Sequence, residues 1–299
     1  MKTMPQSPDL GFFQDRLPAD SATARAMLYD GHVFHLEATA STRRLAAEMW
    51  AIVEAQLGES GPAREAQFRL DQPGFYSRIG HLRKRFYGTE PYHRAVFDLL
   101  QACGFQREAH RCDPMRLRVI TDGGFRDPKA APVYYPHRDT WYANPQAQIT
   151  WSLALHDMGP EDSFEFYPEY FDRPVRNDSE CFDYDDWVQD DWDRKIGWQN
   201  AERDRSSTYP QLRQEIEPQR VEAVKAKAGD LIIFAGAHLH RTRPHSVGRT
   251  RFSVDFRTVH REDHERGRGA PNVDNRSRGS TFADHMGPDE IGNWGRGRL

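Results

Sequence analysis

Hydrophobic positions along the chain follow two rhythms. In the first third they recur at helical spacing. Within "STRRLAAEMWAIVEAQLG", Leu45, Met49, Ile52 and Val53 share one face, Ser41 can cap the start and Gly58 can end it, so a helix is expected. A second helix is expected from about Pro91 in "EPYHRAVFDLLQACG", with Val96, Phe97 and Leu100 as its stripe and Gly104 as its stop. Residues 1 to about 40 lack such a rhythm and read as irregular, with an arm or strand near "GHVFHLEA".

From Met115 onward the period falls to two. "MRLRVIT" sets Met115, Leu117 and Val119 against Arg116 and Arg118, and "QITWSLAL" sets Ile149, Trp151, Leu153 and Leu155 against Thr150, Ser152 and Ala154. "FEFYP" at 164–168 is a short strand, and "DLIIFAG" at 230–236 is a buried one opened by a Gly-Asp turn. "RFSVDFRTV" at 251–259 puts Phe252, Val254 and Phe256 on one face and Arg251, Ser253, Asp255 and Arg257 on the other. Helices first and short strands afterwards predict an α+β fold with a β-sandwich or barrel core.

Two stretches break the pattern. Between Glu161 and Arg194 there are 13 acidic residues against three arginines, with Trp187 and Trp192 among them. Most of these charges read as a solvated surface, and a lid over a pocket is the functional alternative. After His260, seven arginines balance seven acids, which argues against an RNA-binding tail and for one loosely ordered or packed down. The chain of 299 residues therefore reads as one domain. It has a mainly helical part at 1–110, a β core at 111–160 and 218–260, an acidic insertion at 161–217 and a tail at 261–299.

A net charge of −4 points to neither nucleic acid nor an anionic membrane. No apolar run approaches a membrane span or a signal peptide. Cys103, Cys112 and Cys181 form no CxxC pair, and so sparse a set suits a reducing, cytoplasmic setting.

The chemistry sits in "YYPHRDTWY", residues 134–142. If this stretch is extended, His137 and Asp139 point to one side. Alone, the pair is either a fragment of a metal site or an ordinary surface pair. Two histidines and a carboxylate form a facial triad that holds Fe(II) with open positions. Candidates for the missing ligand are His238, His240 and His245 in "AGDLIIFAGAHLHRTRPHSVGRTRF". Eleven residues beyond His240 stands Arg251, a side chain able to grip a carboxylate at two points.

"HRD", "QITWSLALHDMGPEDSFEFYPEYF", "AGDLIIF" and "LHRTRPHSVGRTRF", in that order, resemble the Fe(II)/2-oxoglutarate-dependent oxygenase superfamily, nearest to its phytanoyl-CoA dioxygenase-like branch. The likeness covers roughly residues 114–259. It implies a double-stranded β-helix, that is, a jelly-roll or cupin-like barrel. It also implies His137, Asp139 and His240 as iron ligands, Arg251 on the distal carboxylate of 2-oxoglutarate, and Thr242 on the same cofactor. His240 is preferred to His238 for its spacing to Arg251 and because Pro244 matches the family's turn. His245 stands where the branch commonly has asparagine, and the acidic insertion is longer than typical.

The implied reaction uses O2 to convert 2-oxoglutarate to succinate and CO2 while a small-molecule substrate loses hydrogen. Related halogenases lack the carboxylate, so Asp139 favours hydroxylation, desaturation or ring closure. Arg118, Trp141 and Tyr135 are the candidate substrate contacts, each with a plainer reading as surface or core. Arg257, on the face of Arg251, is a weaker anion contact. A metal-dependent cupin dioxygenase or isomerase without 2-oxoglutarate is the alternative; it would leave Arg251 without a role.

Overall fold

The computed structural model describes residues 11–128, 130–190 and 209–291. Residues 191–208 of the acidic insertion, Trp192 included, and the end of the tail from 292 lie outside the described residues. The chain opens with β1 (Phe13–Gln14), α1 (Ser21–Tyr29) and β2 (Val33–Leu36). Sequence reasoning missed α1, whose buried face is small, Ala24 and Leu28 among it, and whose start is marked by Asp20 accepting from the Ala22 and Thr23 backbone N–H groups.

Next comes α2 (Ala40–Leu57), where the spacing predicts a helix, burying Ala46, Met49, Val53 and Leu57. Its cap is Thr39 rather than Ser41: the side chains of Thr39 and Thr42 reciprocally satisfy each other's backbone N–H, and Ser41 falls inside the first turn. The unexpected α3 (Gln72–Gly88) buries Phe75, Ile79, Leu82 and Phe86, a stripe that five basic side chains between Arg78 and Arg85 obscure in the sequence. The expected α4 (Glu90–Ala102) ends before Gly104, whose φ of +80° suits glycine.

The remaining elements are β3 (His110–Cys112), β4 (Arg116–Ile120), α5 (Ala131–Tyr134), β5 (Gln148–Ala154), β6 (Phe164–Phe166) and α6 (Tyr184–Asp190). They are followed by β7 (Glu222–Ala223), β8 (Leu231–Ala235), β9 (His240–Thr242), β10 (Arg251–His260) and α7 (Arg261–Glu265). One large mixed sheet runs β1-β2-β8-β5-β10-β3, and β4 also pairs with β10; only the β1–β2 pairing is parallel. A small sheet, β7-β6-β9, faces it through Phe164 and Phe166, whose rings lie 6.2 and 5.0 Å from that of Phe234.

Alternation divides the large sheet into two working faces. Ile149, Trp151 and Leu153 of β5, Leu231 and Ile233 of β8, and Phe252, Val254 and Phe256 of β10 join Met49, Phe86 and Phe97 of the helices in one core. The Trp151 and Phe256 rings stack 5.6 Å apart at 11° and Phe105 meets Trp151 edge-on. Each such side chain, fully buried, contributes roughly 1.5–3 kcal/mol. The opposite face presents Thr150, Ser152, Arg251, Ser253, Asp255 and Arg257 to a cavity of about 350 Å³ between the sheets.

Residues 261–291 of the tail pack down onto the body. Met286 exchanges backbone hydrogen bonds with Cys112, and the Asp274 carboxylate accepts from Arg138, Trp141 and Val175. All three cysteines are free thiols. Among the described residues, no helix is long and apolar enough to cross a membrane.

Candidate metal centre

"YYPHRDTWY" is not a strand. His137 makes an isolated bridge to His240, donating its backbone N–H at 2.9 Å and accepting in return at 3.0 Å. Asp139 then opens a 3-10 turn, Asp139–Tyr142. The turn, rather than strand alternation, brings the carboxylate beside the two imidazoles. Ligand atoms of His137, Asp139 and His240 all lie within 4.8 Å of one another, and Asp139 Oδ1 is 3.9 Å from each Nε2.

The surroundings aim these atoms. His137 Nδ1 is 2.8 Å from the Tyr135 carbonyl and His240 Nδ1 is 2.9 Å from the His238 carbonyl. Each Nδ1–H donates to its carbonyl, which leaves the Nε2 lone pair facing inward. Asp139 Oδ2 accepts from Thr150 Oγ1 at 2.7 Å and Gln148 Nε2 at 3.3 Å, leaving Oδ1 for the centre. Burial and the adjacent His240 push the His137 pKa down to about 4, so its imidazole is neutral at neutral pH, as a ligand must be.

Gly236, which ends "DLIIFAG", lets the carboxylate approach. A Cβ there would sit 3.1 Å from Asp139 Cβ and 3.3 Å from Gln148 Nε2. The sequence signal was a lone glycine closing a buried strand.

A charged residue occupies the same cavity. Arg251, the first residue of β10, is 3% exposed, and its Nε and Nη1 have no hydrogen-bond partner. Burial lowers its pKa to about 10, so it stays cationic. Its guanidinium lies 5.9 Å from the centre of the Phe164 ring. Thr242 borders the cavity two residues beyond His240 on β9, on the same side of the strand.

Other candidates divide. Arg118 reaches the cavity wall but is tied to Asp255 at 2.6 Å. Trp141 does not reach it: the side chain is fully buried with Tyr167, Tyr170, Val175 and Leu239, and its Nε1 donates to Asp274 at 2.8 Å. The 3-10 turn explains this, because residues three apart eclipse in such a turn, so Tyr142 rather than Trp141 lies above Asp139. Tyr142 borders the cavity, with its ring 5.6 Å from that of His137. Tyr135 is also off the cavity wall and contributes its carbonyl instead. His238 packs among Phe166, Phe171 and Phe12, where burial drives its pKa to about 3, and stands apart from the cluster. His245 is buried 3.7 Å from Asp122.

The middle residue of "HRD" has a role that sequence reasoning missed. Arg138 is 1% exposed and donates to the carbonyls of Tyr170, Phe171, Arg173 and Ala237 and to Asp274. It thereby ties the His137–Asp139 segment to the loop leading into His240 and to the tail. No spacing in the sequence links these positions.

Two nitrogens and one carboxylate oxygen suit a divalent transition metal and fit Fe(II) with coordination positions left open. No protein-family model matches the sequence, and neither does any curated protein. Among solved structures, the chain is similar to the epimerase SnoN in complex with Fe3+, alpha ketoglutarate and nogalamycin RO, at 15% identity and a TM-score of 0.39, over 80% of this chain and 84% of that one. It is also similar to EvdO2 from Micromonospora carbonacea var. aurantiaca complexed with 2-oxoglutarate, at 13% identity and a TM-score of 0.41, over 76% and 86%. A further similar structure is the non-heme alpha ketoglutarate dependent carbocyclase SnoK from nogalamycin biosynthesis, at 13% identity and a TM-score of 0.39, over 79% and 83%.

Proposed function

We propose that the chain is a non-haem Fe(II)- and 2-oxoglutarate-dependent oxygenase of the phytanoyl-CoA dioxygenase-like branch. It hydroxylates, desaturates or cyclises a small molecule, releasing succinate and CO2. One observation carries this reading: a two-histidine, one-carboxylate cluster and a buried guanidinium with two unpartnered nitrogens share one cavity. The two facing sheets are read as the core of a double-stranded β-helix. The free thiols fit the proposed cytoplasmic setting.

His137, Asp139 and His240 would hold the metal, and bound Fe(II) supplies activation of O2 against 2-oxoglutarate. The protein's own groups do the rest. Arg251 binds the distal carboxylate, and its isolation from water strengthens that contact. Thr242 offers a hydroxyl to the same cofactor. Phe164 and Phe234 exclude water beside them. Thr150 and Gln148 keep the Asp139 carboxylate turned toward the metal position, which supports oxygenation over halogenation. A cupin-type dioxygenase or isomerase without 2-oxoglutarate would leave a buried cation, costly to maintain, with no ligand to serve.

The test is a succinate-release screen with Fe(II) and 2-oxoglutarate across amino acids, nucleotides and acyl thioesters. Substrate-stimulated succinate, absent without iron, supports the reading. Turnover of a substrate that proceeds without 2-oxoglutarate supports the cupin alternative.

A further inference from the structure

One end of the cavity carries polar groups that the proposed cofactor contacts leave unused. There β3 and β10 meet the tail. Asp113 accepts from the backbone N–H of Arg257 and from the guanidinium groups of Arg116 and Arg257, and His285 precedes Met286, the partner of Cys112. Two buried atoms at this end lack a hydrogen-bond partner: Arg257 Nε and His285 Nε2. Both residues border the cavity, and His285 is 1% exposed. His285 Nδ1 lies 3.1 Å from the Thr281 carbonyl and donates to it, so Nε2 presents a lone pair. Arg257 Nε presents a hydrogen. The end thus offers one unfilled acceptor and one unfilled donor.

Charge decides what fills them. Arg116 and Arg257 are matched by Asp113 and by Asp284, which accepts from the Tyr184 hydroxyl. At this end two cations face two carboxylates, Arg118 next to them is paired with Asp255, and Arg251 stands six residues, about 20 Å, further along β10, so the local charge favours neither an anion nor a cation. A carboxylate or ketone cannot donate to His285, and an ammonium cannot accept from Arg257. A hydroxyl does both. The wall beside it is aromatic: Tyr142 meets Phe182 at 5.6 Å and Tyr209 at 6.2 Å, and Tyr184 stacks on Trp187 at 6.1 Å, all five bordering the cavity. Four of these rings come from the acidic insertion. Such a surface favours flat or ring-shaped partners.

We propose that the substrate of this site is a neutral ring compound bearing a free hydroxyl, with the ring against Tyr142, Tyr184 and Trp187 and the hydroxyl held between Arg257 Nε and His285 Nε2. The substrate class rests on the oxygenase reading, whereas the subsite is a binding property of the chain itself. It is therefore tested on the whole protein without metal or 2-oxoglutarate.

The probes are 2-naphthol, 2-methoxynaphthalene and 2-naphthoate, followed by quenching of tryptophan fluorescence and by calorimetry. 2-Naphthol is expected to bind about tenfold tighter than its methyl ether, the worth of a satisfied buried hydrogen-bond pair. His285→Phe, which keeps the ring beside Phe282, is expected to abolish that preference. Arg257→Lys, which keeps the charge beside Asp113 and removes the Nε donor, is expected to reduce it even if the first variant fails to fold. Equal affinity for naphthol and its ether, naphthoate binding tightest even in Arg251→Met, or no binding of any probe overturns the subsite. A succinate screen that fails even with hydroxylated ring compounds included, alongside naphthol preference, would instead remove the oxygenase reading and leave the subsite standing.

Discussion

His137 and His240 exchange both of their backbone hydrogen bonds, at 2.9 and 3.0 Å, and their rings lie 4.5 Å apart. Segments distant in sequence are thereby locked in register before any ligand binds. The two Nε2 atoms converge on Asp139 Oδ1 because both Nδ1 atoms are already committed to carbonyls two residues back. Preorganisation of this kind lowers the entropic cost of capturing a metal.

The histidine choice is directly testable. His240→Ala is expected to weaken Fe(II) or Co(II) binding by more than about 100-fold, beyond the effect of losing a ligand's supporting contact. His238→Phe, which fits the phenyl-lined site of His238, is expected to retain metal affinity. Calorimetric titration of both variants reads the result, and the opposite order would reassign the ligand.

Arg251 should trade stability for function. Its guanidinium is buried with two unpartnered nitrogens. Arg251→Met is expected to raise the melting temperature of the ligand-free protein by relieving roughly 1–4 kcal/mol of unfavourable burial. The same change is expected to cost at least about 2 kcal/mol of 2-oxoglutarate binding. Thermal melts with and without 2-oxoglutarate check both signs at once.

Arg138 touches no candidate ligand atom yet anchors the segment between two of them. Arg138→Ala removes one partner of a buried ion pair with Asp274 and four carbonyl contacts, and is expected to cost about 3–5 kcal/mol. Urea denaturation measures that loss. Metal affinity under native conditions should fall too, and Arg138→Lys should restore part of each.

Much of this was legible in the sequence, and the exceptions have physical causes. Alternation in β5 and β10 correctly separated core from cavity, because both faces of one sheet are occupied by partners of opposite character. The helix α3 was hidden, since basic residues from Arg78 to Arg85 interrupt its buried stripe of Phe75, Ile79, Leu82, Phe86 and Tyr87 in the sequence. Trp141 follows the His137–Asp139 pair closely in sequence, but the 3-10 turn Asp139–Tyr142 carries it into the core, and Tyr135, ahead of that turn, meets the site through its carbonyl. Arg138 and Asp274 could not be paired from sequence, because their contact joins a turn to a tail without regular structure.

Stability should depend on acid through His156. Its Nε2 accepts from the Phe252 N–H at 2.9 Å and its Nδ1 donates to the Asp157 carbonyl at 2.8 Å, so the folded protein holds it neutral. Burial, aided by Arg64, pushes its pKa down to about 4 from the ordinary histidine value of about 6.5. The unfolded chain therefore takes up the proton first as pH falls through 6.5. His156 contributes no slope above that point and a progressive loss below it, reaching about 3 kcal/mol near pH 4. In denaturation series from pH 7.5 to 4.5, His156→Gln should show a shallower decline than the native chain. Parallel declines would remove His156 as a cause.

On the proposed reading, His137, Asp139, His240 and Arg251 together bind Fe(II) and 2-oxoglutarate as one unit. Anaerobic titration followed by visible absorption tests it most directly. A weak charge-transfer band is expected only when Fe(II) and 2-oxoglutarate are both present, and it should be lost in Arg251→Met. Iron that binds tightly without producing the band on addition of 2-oxoglutarate would contradict that reading.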